Sequence, residues 1–243
     1  MRRFGLIGRP LVHSASAEYF ADKFAREHID ARYDLFELRS IEDVATLPHD
    51  IDGFNVTIPY KRYIMSYLDD ISDEAAAVGA VNCVCCRDGK RIGYNTDVVG
   101  IRCTLDKLLS GKSGVKALVL GTGGASQAVR YVLEERNIDY ASVSRTQRDG
   151  VLTYDELGSE VMRDYLLIIN TTPVGMFPHI EEAPQLPYGA LTSEHCLFDA
   201  IYNPPITRFL RYGETAGARV ANGQDMFIAQ AEASWRIWNA DYR

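Results

Sequence analysis

Short apolar runs alternate with amphipathic stretches along most of the chain. "RFGLIG", "ARYDLFEL" and "DGFNVT" read as strands, and "SAEYFADKFAREHI" sets Tyr19, Phe20, Phe24 and Ile29 roughly along one helical face. This alternation predicts a parallel sheet joined by crossover helices. "AVNCVCCRDGKRIGYN" carries Asp88-Gly89 between two apolar runs, the signature of a β-hairpin, and "DVVGIRCTLDKLL" reads as a helix opened by Asp97 or its neighbour Thr96. At "SGKSG", residues 110–114, the pattern breaks into a short flexible connection. It then restarts: "VKALVLGTGGASQAVRYVLEERNIDYASVSRT" has the order strand, glycine turn, helix, strand. "YLLIINTTPVGM" and "HCLFDAIYNP" add two strands, and "GQDMFIAQAEASWRIWNADY" places Met226, Ala229, Ala233 and Ile237 at helical spacing. There is no internal repeat and no low-complexity tract.

Composition narrows the class. At 243 residues, with 47% hydrophobic and 24% charged residues, the chain reads as soluble and able to bury a core, in two modest domains or one large α/β unit. A formal net charge of -7 with no basic run argues against a nucleic-acid partner. Cys83, Cys85 and Cys86 crowd one strand where they cannot easily pair, so reduced thiols and a cytoplasmic setting are expected. A metal site is not expected, because no second Cys/His cluster accompanies them. After Arg2-Arg3 the run "FGLIG" is too short for a signal peptide, and no stretch of about 18 apolar residues suggests a membrane span.

"GTGGAS", residues 121–126, follows the strand "ALVL" and opens a helix, the context in which a glycine turn binds a dinucleotide. Gly121 permits the tight turn, Gly123 lets backbone amides approach a pyrophosphate, and the helix start supplies unpaired N–H groups. Ser126 occupies the place of the usual third glycine. The next strand ends in Ser144, Arg145 and Thr146, with Arg148 shortly after, where an NAD site usually carries a carboxylate. A guanidinium suits a 2′-phosphate, so NADP(H) is the expected cofactor, with Asp149 leaving an opening for NAD.

Four polar clusters stand at strand ends or loops: Ser14 and Ser16 in "HSAS", Asn55, Thr57 and Lys61 in "NVTIPYK", Asn82 in "AVN", and Thr96-Asp97 in "YNTD". Each has a plain structural alternative: the serines and Asp97 as helix caps, Asn82 as a backbone binder. Pro59 is expected to end its strand and turn Lys61 across the sheet edge.

Taken in order, "GRPLVHSAS", "NVTIPYK", "GAVN", "YNTD", "GTGGAS", "SRT", "NTTPVGM", "DAIYNP" and "GQDMFIAQA" make the chain resemble shikimate dehydrogenase over almost its full length. The resemblance implies an α/β fold of two domains. Residues 1–98, completed by the carboxyl-terminal helices 223–243, would form an α/β substrate domain, and 99–222 a Rossmann-type NADP-binding domain. It implies reversible NADP-dependent reduction of 3-dehydroshikimate to shikimate, with Lys61 and Asp97 as the acid/base pair. Ser14 and Ser16 match hydroxyls that bind the substrate carboxylate, with the substrate-binding Tyr202 nearby, and Thr57, Asn82 and Gln230 match groups that bind ring hydroxyls. On the cofactor side the matches are Gly121, Gly123, Gly124, Ala125, Ser144, Arg145, Thr146, Thr172 and Gly223. The partners implied are the small-molecule substrate and, for a monomer or homodimer, no other class. Departures are Ala17 where proline is usual, "EYFADKF" without the later His-Asn, Ser144 where asparagine is common, and Ala200 in place of a larger apolar residue. Two rival readings remain: a quinate or dual-specificity dehydrogenase, and a non-catalytic NADP(H)-binding sensor on the same scaffold.

Overall fold

Strand β1 (Arg2–Gly8) buries five successive residues from Phe4 onward, as a strand covered on both faces must. It is the axis of the first sheet. Parallel partners flank it: β2 (Ala31–Glu37) on one side and β3 (Gly53–Val56) on the other. Beyond β3 lie β4 (Asp70–Ile71), β5 (Cys83–Arg87) and β6 (Lys90–Tyr94), giving the order β2-β1-β3-β5-β6-β4. The β5–β6 pair is the expected hairpin; Asp88 and Gly89 both take positive φ, 50° and 74°, as a type I′ turn demands. Helix α1 (Ala15–Arg26) connects β1 to β2, stopping short of Ile29 because the chain reverses at His28, where φ is 54°. The short α2 (Asp73–Val78) starts on a Ser72 cap and ends on left-handed Gly79.

The computed structural model describes residues 1–11 and 14–240, which fall into two compact units: Met1–Thr96 with Ala231–Arg243, and Asp97–Gln230. The second unit holds a six-stranded, all-parallel sheet. Its strands are β7 (Ala117–Leu120), β8 (Tyr140–Ser144), β9 (Val151–Thr153), β10 (Leu167–Asn170), β11 (Cys196–Asp199) and β12 (Arg219–Ala221). They lie in the order β12-β11-β10-β7-β8-β9. Counted from β7 this is the Rossmann order, with its reversal between β7 and β10. Helices α3 (Asp97–Leu108), α4 (Gly124–Glu135), α5 (Ser159–Asp164) and α6 (Arg208–Thr215) belong to this unit. Arg102–Glu135 and Arg136–Asp106 ion pairs, both 2.8 Å, lace α3 to α4.

The last helix, α7 (Gln224–Asn239), begins in the second unit and ends in the first. Its carboxyl-terminal half completes an aromatic core there. Phe4 stacks on Trp238 with ring centroids 4.7 Å apart, and Phe20 stacks on Tyr33 at the same distance. Lys23 reaches Glu232 at 2.9 Å, and Tyr19 donates to the same carboxylate, tying α1 to α7. Among the described residues no helix is long and apolar enough to cross a membrane, and no group of three or more His, Cys, Asp or Glu is placed to hold a metal. Burial pushes the Cys86 thiol up to about 12 and raises those of Cys83 and Cys85, so this strand carries protonated, unreactive thiols.

Candidate active site

In the first unit the strand order reverses between β1 and β3, the place where open α/β sheets gather ligand groups. The segments leaving these strands are stitched together by backbone bonds: Thr57 N donates to Ile7 O at 2.9 Å, and Arg9 N to Ile58 O at 3.0 Å. Thr57 therefore sits over Gly8, so closely that a Cβ at Gly8 would overlap its methyl group. Residues Thr57–Tyr60 form a turn closed by Tyr60 N to Thr57 O at 2.9 Å, with a cis Ile58–Pro59 bond in the position that defines a type VI turn. Lys61 follows this turn, half-buried, its carbonyl held by Val81 N at 2.8 Å. β3 thus ends at Val56, before Pro59, and the turn carries the chain from the strand to Lys61.

Ser14 occupies the N-cap position of α1 yet makes no capping bond, and its Oγ is buried without a hydrogen bond among the described residues. Capping is thus not what this serine does. Ser16 lies in the first turn of α1, beside Tyr33. Burial drives the Tyr33 phenol well above its usual pKa, and the Ser16 hydroxyl opposes that rise. His13 of the same motif lies outside the described residues.

Asn82 stands 3% exposed just before β5. Its Oδ1 accepts from Thr96 N at 2.6 Å and from Thr96 Oγ1 at 3.2 Å. Asn55, on β3, donates from Nδ2 to Asn82 O at 3.1 Å and to Ser234 Oγ at 2.9 Å, while its Oδ1 accepts from Tyr33 at 2.9 Å. Ser234 and Thr96 are 3.1 Å apart, oxygen to oxygen. The result is a buried polar network that joins β2, β3, the entry to β5, the segment after β6 and the last helix. Tyr33 and Ser234 were not singled out in the sequence; a hydroxyl on the apolar face of the last helix was the available signal.

In the second unit the reversal point carries the glycine turn. Gly121 follows β7 with φ 108°, a conformation that side chains rarely adopt, and a Cβ there would lie 2.8 Å from Thr171 Oγ1 and 3.1 Å from Thr172 Cγ2. The loops after β7 and β10 thus meet, bringing the expected Gly121 and Thr172 together. A Cβ on Gly123 would touch nothing, leaving open space before the first turn of α4, which includes Gly124 and Ala125. Ser126 is fully buried and turns its hydroxyl back to Gly123 O at 2.6 Å, so serine fits where the helix packs on the sheet. Gln127 Oε1 is buried without a partner among the described residues.

Ser144 ends β8 and accepts from Thr146 N at 3.2 Å, while Arg145 and Thr146 are exposed. This open backbone, a neighbouring guanidinium and the room beside Gly123 fit a phosphorylated dinucleotide. Gly223 packs its backbone so tightly on Ala200 that a Cβ would overlap the Ala200 carbonyl, and its N–H bonds Ile201 O at 2.9 Å. Tyr202 packs on Phe227 at 5.1 Å between ring centroids, and Gln230 lies half-buried one turn further along α7. Asp97, 4% exposed, is the first residue of α3.

Beneath the Thr172 loop lies an anchor not foreseen from sequence. Asn170 Oδ1 accepts from Thr172 N at 3.0 Å and Oγ1 at 2.7 Å, and Asn170 Nδ2 donates to Asp199 Oδ1 at 3.1 Å. Thr207 donates to Asp199 Oδ2 at 2.6 Å. Polar residues closing the apolar runs "LIIN" and "CLFD" were the readable signal.

Residues 6–84 match the family model described as the shikimate dehydrogenase substrate binding domain. The chain is 38% identical over 254 residues to the shikimate dehydrogenase (NADP(+)) of Clostridium beijerinckii, covering 98% of this chain and 92% of that protein. It is 37% identical over 256 residues to the protein of the same name from Methanococcus maripaludis, covering 96% and 90%. The crystal structure of shikimate 5-dehydrogenase from Thermus thermophilus in complex with NADP(H) and shikimate is similar with a TM-score of 0.85 and 29% identity, covering 99% of this chain and 94% of that one.

Proposed function

The chain belongs to the shikimate dehydrogenase family, and from that premise we propose that it interconverts 3-dehydroshikimate and shikimate with NADP(H), using Lys61 and Asp97 for acid/base chemistry. The observation that carries this reading is the placement of unsatisfied groups. Among the described residues only two buried side-chain polar atoms lack hydrogen bonds, Ser14 Oγ and Gln127 Oε1. One falls in the segment expected to hold a substrate carboxylate and the other beside the glycine turn. Buried polar atoms without partners are costly, by about 1–3 kcal/mol each, and a ligand is the natural source of partners.

NADPH, when bound, supplies the hydride. The chain's own residues do the rest. As the ketone carbon accepts hydride its oxygen gains charge, and a donor must neutralise that charge as it develops. Lys61 is assigned that role: its ammonium gives the proton to the oxygen, and in the reverse direction the neutral amine takes it back. Asp97 is assigned to the same proton transfer. Ser14 and Ser16 would hold the carboxylate, Tyr202 would contribute to substrate binding, and Thr57, Asn82 and Gln230 would hold the ring hydroxyls. For the dinucleotide, Gly121, Gly123, Gly124 and Ala125 would take the pyrophosphate, and Ser144, Arg145 and Thr146 the phosphorylated ribose. Thr172 and Gly223 are assigned to cofactor binding as well. Free, protonated thiols suit a cytoplasmic setting, and the assignments need no second chain, in keeping with a monomer or a homodimer.

The test is the near-ultraviolet absorbance of reduced nicotinamide, followed with shikimate or quinate, each with NADP or NAD. The expected result is reduction with shikimate and NADP well above the other three pairs. Turnover confined to quinate would replace the substrate, and cofactor binding without turnover on any pair would leave a sensor.

A further inference from the structure

The two loops that meet at the reversal point of the second sheet offer a ligand opposite halves of the hydrogen bond. After β7, helix α4 starts at Gly124 behind an extended Gly123, so its first turn leaves backbone N–H groups without helical partners. After β10 the chain does the reverse. Thr171 N and Oγ1 both donate to Leu120 O, at 3.0 and 2.6 Å. Thr172 N and Oγ1 both donate to Asn170 Oδ1, at 3.0 and 2.7 Å. Pro173 has no N–H, and Val174 N donates to Thr172 Oγ1 at 3.3 Å. The direction of these bonds is forced. Leu120 O can only accept, and the Asn170 atom facing Thr172 N must be its oxygen, with Nδ2 turned to Asp199 Oδ1 and Val174 O. Among the described residues, every donor of residues 171–174 therefore points back into the fold. Acceptors are what remain for a ligand: the second lone pair of Thr172 Oγ1 and the carbonyls of Thr171 and Thr172.

We propose that this loop reads a neutral hydrogen-bond donor of the dinucleotide through Thr172 Oγ1, and that the donor belongs to the nicotinamide nucleoside, as its carboxamide N–H or a ribose O–H. The inference rests on the functional reading above and names what Thr172 recognises. A phosphate oxygen brings no proton and finds no bond at this loop, whereas the first turn of α4 supplies donors to it. The two loops touch: a Cβ on Gly121 would stand 3.1 Å from Thr172 Cγ2, so a dinucleotide crossing from the glycine turn meets Thr172 next. Arg145 follows β8 on one side of β7 and is assigned to the phosphorylated ribose, so the other nucleoside falls on the β10 side of the reversal. Asn170 and Asp199, both fully buried, hold the loop from beneath with its donors turned inward.

The experiment measures dissociation constants by calorimetry, independent of turnover, for the full chain with NADP and with analogues that each lack one donor. One analogue carries an acetyl group in place of the carboxamide, and the others each lack one hydroxyl of the nicotinamide ribose. For the parent we expect one of these deletions to weaken binding about tenfold. Thr172→Val keeps the shape of the side chain and removes the acceptor. In this variant NADP should bind about five- to tenfold more weakly, that penalty should shrink to within about twofold, and KM for shikimate should stay within about threefold of the parent. Thr172→Ser keeps the oxygen and should restore both the affinity and the penalty. The deletion whose penalty disappears identifies the donor. A Thr172→Val protein that keeps the parent's penalties overturns the inference, and so does a parent indifferent to every deletion, a result that needs no variant to fold. A parent that shows the expected penalties yet does not oxidise shikimate overturns the substrate assignment alone, and a parent that binds no NADP overturns both readings.

Discussion

At the scale of single residues, the two units treat buried polar groups differently. In the first, beside the Lys23–Glu232 pair, neutral amides and hydroxyls such as Asn55, Asn82, Thr96 and Ser234 satisfy one another. In the second, a carboxyl bears the load. Burial pushes Asp199 up to about 6 from its ordinary 3.8, winning over the downward pull of Thr207, Ile201 N–H and Asn170. A carboxyl with a higher pKa in the folded state favours the fold fully when protonated in both states, below 3.8, and loses that contribution as pH rises through about 6. The parent should therefore lose on the order of 3 kcal/mol relative to Asp199→Asn across that window. Denaturant unfolding of both proteins at several pH values measures this, and a difference that stays flat with pH would contradict it.

At the scale of elements, the tightest junction is where α7 lies on the first sheet. Trp238 Nε1 donates to Val84 O at 2.9 Å directly over Gly53, and a Cβ at Gly53 would overlap the indole and stand 2.8 Å from Val84 O. Gly53→Ala should cost about 1–3 kcal/mol and lower the melting temperature by several degrees, read by tryptophan fluorescence; an unchanged midpoint would show that the junction yields freely. The elements differ in how readily the sequence reveals them. β1, β7, β10 and β11 were legible because each is a run of apolar residues buried on both faces. β4, β9 and β12 were not: each is two or three residues long and partly exposed, too short to show alternation. The site divides the same way. Gly121 and Thr172 follow strands whose ends could be read, so their meeting could be anticipated. Ser234 and Asn170 act through partners distant in the chain, and nothing local marks such pairing.

At the scale of the whole molecule, the first unit is discontinuous in sequence and holds both tryptophans, Trp235 and Trp238, in its carboxyl-terminal segment. Tryptophan fluorescence therefore follows this unit, whereas far-ultraviolet circular dichroism follows both. Shikimate should raise the fluorescence midpoint and NADP should chiefly raise the dichroism transition, because most of the groups assigned to shikimate lie in the first unit and those assigned to the dinucleotide in the second. Identical shifts by both probes with either ligand would contradict that division of labour. Lys61, which follows the turn after β3, is the residue assigned to move the proton in shikimate oxidation. The most direct measurement is kcat of Lys61→Ala with shikimate and NADP, alongside its affinity for NADPH. The expected result is a fall of about 10²- to 10⁴-fold in kcat with NADPH affinity unchanged. A variant that turns over within a few-fold of the parent would remove Lys61 from the chemistry.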